Sequence, residues 1–190
     1  MRFNKIKYLM VLSFILSFSL FTQTENSANL SESKIWFGAG VVLGNFDYGG
    51  NGGGFGVDLN YNTGRKIYKA RCLYMKEVIF DLFGGAPPAN SVWESGLLFG
   101  LISPNGKKRI SLAAGISYVG GTKISEEYDD EYESSPYVKK NISTIGFPVE
   151  VQVLYAFNRE EGGSITLFGD INSENNFVGV TVSFILGRLR

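Results

Sequence analysis

The chain contains no histidine and a single cysteine, Cys72. Without histidine there is no Ser-His-Asp or Cys-His catalysis, no imidazole-ligated zinc and no side chain that shuttles protons near neutrality. A lone cysteine cannot close an intramolecular disulfide, so this is not a disulfide-stapled secreted module. The chain also lacks an excess of either charge, with 18 basic and 18 acidic residues. That balance excludes the basic footprint that nucleic acid would require. Beyond the first two dozen residues there is no long apolar run and no 3.6-residue periodicity, so neither a spanning helix nor amphipathic helices are expected there. No catalytic constellation or cofactor motif emerges from the residues present, and an enzyme is not expected.

The N-terminus carries the one apolar run. Arg2, Lys5 and Lys7 precede Tyr8 to Phe21, which is interrupted by serines. This is the build of a secretory signal over residues 1–24, with small residues at Ser17, Ser19, Thr22 and Thr24 as candidate cleavage surroundings. No cysteine follows the run, so a lipoprotein anchor is not indicated. Residues 25–33 are polar and read as a flexible lead-in. Residues 34–190 remain, enough for one domain. With the leader removed, 15 basic residues face 18 acidic ones, a mildly acidic balance.

Alternation with a period of two, the side-chain period of a strand, dominates that remainder. Phe55, Val57, Leu59 and Tyr61 alternate with Gly54, Gly56, Asp58 and Asn60. The same pattern runs through Ile110 to Tyr118, Val149 to Phe157 and Val178 to Leu186. Weaker alternation marks Lys34–Phe46, Lys66–Glu77, Ser91–Ile102 and Ser164–Asn172, giving eight strands in all. Asn62-Thr63-Gly64 and Ser103-Pro104-Asn105-Gly106 are hairpin turn signals, and 159–163 is another short connection. Longer connections are expected at 45–53, 78–90 and 120–141. Short turns at one end and long loops at the other form the pattern of an eight-stranded antiparallel up-and-down transmembrane β-barrel.

Alternation alone does not say which face points outward. A lipocalin-like soluble carrier would turn the apolar face in. Three observations favour turning it out. The opposite face is rich in Gly, Ser and Ala, which suits a narrow interior better than a solvated coat. The charges on that face have both signs: Asp58, Glu94, Glu150 and Asp170 against Lys69, Arg71 and Arg109. With Gln152 they form a candidate polar network inside the barrel, since buried charges must pair or be hydrated. Finally, Trp36, Phe37, Tyr61, Tyr68, Trp93, Tyr118, Tyr155, Phe157 and Phe184 lie near strand ends, where an interfacial girdle is expected.

The stretch Ile145-Gly146-Phe147-Pro148-Val149-Glu150-Val151-Gln152-Val153 and the closing Gly169 to Thr181 resemble small outer-membrane β-barrel proteins of diderm bacteria. The resemblance covers most of the chain after the leader. It implies an outer-membrane location, lipid as the surrounding partner and the barrel-insertion machinery as a partner during assembly. It implies no reaction, cofactor or ligand. One departure stands out. Many such barrels end on an aromatic residue, whereas here Phe184 lies six residues from the end and the chain closes Gly187-Arg188-Leu189-Arg190.

Three further features have both a functional and a simpler reading. Glu126, Glu127, Asp129, Asp130, Glu131 and Glu133 form the one charge block, which could attract Ca²⁺ or a cationic partner. Their spacing is not that of an EF-hand, and a solvated loop is the simpler reading. The glycines at 38, 40 and 44 and those from Gly49 to Gly56 lack phosphate-loop spacing and a following helix, so they read as small interior residues and a flexible loop. Cys72 falls on the apolar face as a small hydrophobe. The expected role is structural or surface-interacting, with a largely closed interior. A narrow pore or a lipocalin-like carrier for a small solute is the rival.

Overall fold

In the computed structural model, which describes residues 33–47, 50–78, 89–103, 106–125 and 138–189, the alternating segments become eight antiparallel strands. They are β1 (Lys34–Phe46), β2 (Asn51–Thr63), β3 (Lys66–Glu77), β4 (Ser91–Ile102), β5 (Lys108–Ser125), β6 (Val138–Ala156), β7 (Glu161–Asn172) and β8 (Phe177–Gly187). Each pairs with its sequence neighbours, and β1 pairs with β8 from Trp36↔Gly187 to Phe46↔Phe177, closing the sheet. Closure leaves no free edge strand around the barrel. The leader at 1–24, the lead-in at 25–33 apart from Ser33, Pro87-Pro88 and the acidic block at 126–133 lie outside the described residues.

The connections 64–65, 103–107 and 157–160 share one end of the barrel with both strand termini, hereafter the turn end. The opposite, loop end carries 47–50, 78–90, 126–137 and 173–176. At the turn end, β2 and β3 are joined by only Gly64 and Arg65, and Gly64 has φ 60°, a left-handed conformation that a side chain disfavours. The Asn62 side-chain amide donates to the carbonyls of Gly64 and Lys66 at 3.0 and 2.9 Å and fixes the turn.

Two expected loops are shorter than their composition suggests. The segment 45–53 narrows to 47–50, because the glycines pair as strand up to Gly44↔Gly52 and Asn45↔Asn51. Gly54 shows why small residues are needed there: a Cβ on it would overlap the Tyr74 carbonyl of the adjacent strand. The segment 120–141 narrows to 126–137, because β5 and β6 stay paired to Ser125↔Val138, beyond the last β4–β5 pair Ser91↔Thr122. This hairpin therefore projects past its neighbour β4 at the loop end. Strand β7 likewise begins at Glu161 rather than Ser164, since Gly162 and Gly163 carry no side-chain pattern to announce a strand.

The apolar face points outward. Leu97 is 72% exposed, Leu43 65% and Val182 59%. On that face, rings form short ladders: Tyr61–Tyr68–Phe99 toward the turn end, and Phe55–Tyr74 and Trp93–Tyr118 toward the loop end. Between them lie the small residues Ala70, Cys72 and Ser95, which are among the residues lining a concavity of about 1340 Å³. Cys72 is exposed, with its Sγ 3.5 Å from Ser95 Oγ. One expected girdle residue is not there. Trp36 is buried at 1% exposure and points into the barrel. It shares parity with Gly38 and Gly40, so the alternation, rather than proximity to the strand end, decides its side.

Candidate functional site

The interior is layered. Near the turn end, Trp36, Ile67, Ile102, Leu154, Ala156, Ile185 and Leu189 pack together. Near the loop end, Val42, Phe46, Leu73, Met75, Val92, Val119, Phe168 and Phe177 form a second apolar group. Between the two groups sits a charged layer built from facing strands.

Arg71 on β3 is its centre. Its Nε and Nη2 donate to Glu94 Oε1 at 3.1 and 2.6 Å, and Nη2 also reaches Oε2 at 2.9 Å. Its Nη1 donates to Glu150 Oε2 at 2.8 Å. Lys69, two residues earlier on β3, pairs with the other Glu150 oxygen and lies 3.4 Å from Gln152 Oε1. Gln152 passes its amide on to Ser164 Oγ at 3.2 Å. The guanidinium also lies over the Phe168 ring, 5.2 Å from its centroid, an arrangement that favours a desolvated cation. All four charged members are buried, from 1% exposure at Glu94 to 6% at Arg71. Two cations against two carboxylates, with the bidentate fork of Arg71 joining them, is the arrangement that makes such burial tolerable.

The eight residues picked out from sequence all face inward, but they do not form one cluster. Lys69, Arg71, Glu94, Glu150 and Gln152 are brought together. Asp170 is fully buried beside them and accepts from Ser117 Oγ at 2.6 Å and from Asn172 Nδ2 at 3.0 Å. Asp58 stands opposite Arg71 in the β2–β3 register, yet its carboxylate accepts from Asn60 and fills the space above Gly38. Arg109 is buried toward the turn end, four positions along β5 from Ala113, the register partner of Glu150. The neutral partners Ser117, Ser164, Asn60 and Asn172 were not singled out from sequence. Parity would have placed them inside; hydroxyls and amides carry no charge to attract notice.

The loop-end rim is tied by side-chain bonds. Glu77 accepts from the Gly50 N–H at 2.7 Å, the Asn90 N–H at 3.1 Å and the Asn90 amide at 2.7 Å. Asn90 Oδ1 in turn accepts from the Ile124 N–H at 2.9 Å. Across the rim, Asn172 Oδ1 caps the Glu174 and Asn175 N–H groups, while Asn176 donates to Asp47 at 2.8 Å. No group of three or more potential metal-ligating side chains gathers among the described residues.

No protein-family model matches the chain, and no curated protein matches it by sequence. Solved structures do match in shape. Ail, the attachment invasion locus protein of Yersinia pestis, in complex with the heparin analogue sucrose octasulfate, superposes with a TM-score of 0.57 at 8% identity, covering 83% of this chain and 99% of Ail. Neisserial surface protein A superposes with a TM-score of 0.56 at 10% identity, covering 82% of this chain and 99% of that one. The fold is that of the small eight-stranded outer-membrane β-barrels. At these identities the likeness speaks for the fold alone, a closed barrel of antiparallel strands. The ionic layer and the apolar layers that flank it belong to this chain's own residues.

Proposed function

We propose that the protein resides in a bacterial outer membrane, with lipid against its apolar exterior, and serves there as a structural or surface-interaction protein whose lumen is closed. The observation that carries this reading is the inversion of the barrel. Large apolar side chains are exposed all round, while Lys69, Arg71, Glu94 and Glu150 are buried within. Water would penalise an exterior of that size and continuity; hydrocarbon would not. The same inversion weighs against a lipocalin-like carrier, which needs an apolar interior. The stacked layers support closure, since eight strands leave an interior that side chains can fill. No catalytic role is assigned.

Surface interaction is the finer part of the proposal. The projecting β5–β6 hairpin carries Lys123, Lys139 and Lys140, with Lys123 and Lys140 opposite each other in register. The connection between these two strands adds Glu126, Glu127, Asp129, Asp130, Glu131 and Glu133, so in sequence the hairpin is net acidic and favours a cationic partner. Ca²⁺ or a cationic protein surface is the first to try. A narrow pore is the second reading, because the charged layer would line any path through the lumen. Fractionation of the native host followed by gel migration of heated and unheated samples tests location and closure of the sheet. Planar-bilayer recording then separates the readings: a silent barrel supports the plugged lumen, and steady conductance supports the pore. Soluble periplasmic protein would overturn the location.

A further inference from the structure

The two ends of the barrel differ in charge, and the turn end is basic on every side. We propose that this end carries a collar that binds the anionic phospholipid headgroups of the membrane leaflet it occupies. The inference rests on the reading that lipid covers the outward face.

Lys66, Lys107, Lys108, Arg159 and Arg188 are all exposed. They are distributed around the circumference: Lys66 after the β2–β3 turn, Lys107 and Lys108 before β5, Arg159 between β6 and β7, and Arg188 after β8. Lys66 lies one outward step beyond Tyr68, whose ring belongs to the turn-end aromatic ladder. Lys108 lies one outward step beyond Ile110 and opposite Tyr155. Arg188 follows outward Leu186, its N–H still bonded to the Ile35 carbonyl at 2.8 Å. These cations therefore stand just past the aromatic and aliphatic belt, at the level where phosphodiesters lie. Among the described residues, the exposed acids of this end are Glu160 and Glu161, and Asn158 holds the Glu161 carboxylate at 2.7 Å within its own turn. At the loop end, by contrast, Asp47, Glu77 and Glu174 offset Lys76, Lys123, Lys139 and Lys140 among the described residues, and the β5–β6 connection adds the acidic run from Glu126 to Glu133. A basic residue near an anionic bilayer surface is worth roughly fivefold in binding, so a ring of them discriminates headgroups. The outward placement beside interfacial rings selects lipid over a soluble polyanion.

The test folds the full chain into vesicles of phosphatidylcholine mixed with phosphatidylglycerol of the same chain length. Lipids retained after mild detergent extraction are counted by native mass spectrometry. The wild type is expected to retain phosphatidylglycerol over phosphatidylcholine by about tenfold or more, with the preference falling in high salt. The combined variant Lys66→Gln, Lys107→Gln, Lys108→Gln and Arg159→Gln should approach parity. A loop-end control, Lys76→Gln with Lys139→Gln and Lys140→Gln, should keep the preference. If the fourfold variant does not fold, the pair Lys107→Gln and Arg159→Gln in the turns should show a partial loss. Parity in the wild type, an undiminished preference in the collar variants, or loss in the loop-end control would each overturn the collar. A wild-type chain that inserts into neither pure nor mixed vesicles strikes the lipid-facing reading itself; one that inserts without headgroup preference strikes the collar alone.

Discussion

Arg71 on β3 reaches Glu150 on β6 at 2.8 Å, although the two strands are not neighbours in the sheet. The contact crosses the interior, and the same guanidinium grips Glu94 on β4. Removing one partner from a buried ion pair leaves an uncompensated charge, which costs about 3–5 kcal/mol. Arg71→Ala should lower barrel stability by that order, read as a fall in the temperature at which gel migration shifts. Arg71→Met combined with Glu94→Gln, which keeps the Lys69–Glu150 pair intact, should recover part of the loss. An Arg71→Ala barrel that melts like the wild type would count against a structural role for the layer.

The two tryptophans offer a direct assay of which face is which. Trp93 is 42% exposed on the outside, and Trp36 is buried inside. In vesicles of brominated lipid, the fluorescence of Trp36→Phe, which retains Trp93, should be strongly quenched. That of Trp93→Phe, which retains Trp36, should be nearly unaffected. The reverse pattern would mean that the faces are exchanged. Truncating Trp36 to Ala should also destabilise the turn-end core by about 3–5 kcal/mol, as for other large buried aromatics.

Cys72 allows an independent check by chemistry. Its thiol lies on the outer face between Ala70 and Tyr74. In folded protein within vesicles, a charged membrane-impermeant maleimide should fail to label it, whereas labelling in denaturant should be complete. Rapid labelling by the charged reagent in intact vesicles would place Cys72 in water.

Adjacent glycines should respond oppositely to one methyl group. A Cβ at Gly54 would overlap the Tyr74 carbonyl, whereas at Gly53 the nearest atom is a Val78 methyl 3.6 Å away. Gly54→Ala should reduce folding yield in vesicles or detergent, because the backbone would have to separate. Gly53→Ala should fold normally. Equal behaviour of the two would remove the close-approach explanation for the glycine-rich start of β2.

Much of the architecture was legible in the residues themselves. Val57, Leu59 and Tyr61 against Asp58 and Asn60 already assign two faces, because successive strand side chains point to opposite sides whatever else the chain does. The strands Lys34–Phe46, Lys66–Glu77 and Ser91–Ile102 have the bounds that this pattern suggests. The same parity turns Lys69, Arg71, Glu94, Glu150 and Gln152 inward, where they are buried. Proximity to a strand end misplaced Trp36, and glycine content concealed the start of β2, because a residue without a side chain announces no face. What only tertiary structure decided is who meets whom. Asp58 is the register neighbour of Arg71, yet Arg71 binds Glu94 and Glu150, since partnership inside a barrel depends on how closure and register bring distant strands across the lumen. The gathering of Trp36, Ile67, Leu154 and Leu189 at one end, and of Phe46, Met75, Phe168 and Phe177 at the other, is likewise a product of closure. Period two is a local property of each strand; the layers around the charges exist only when all eight strands share one interior.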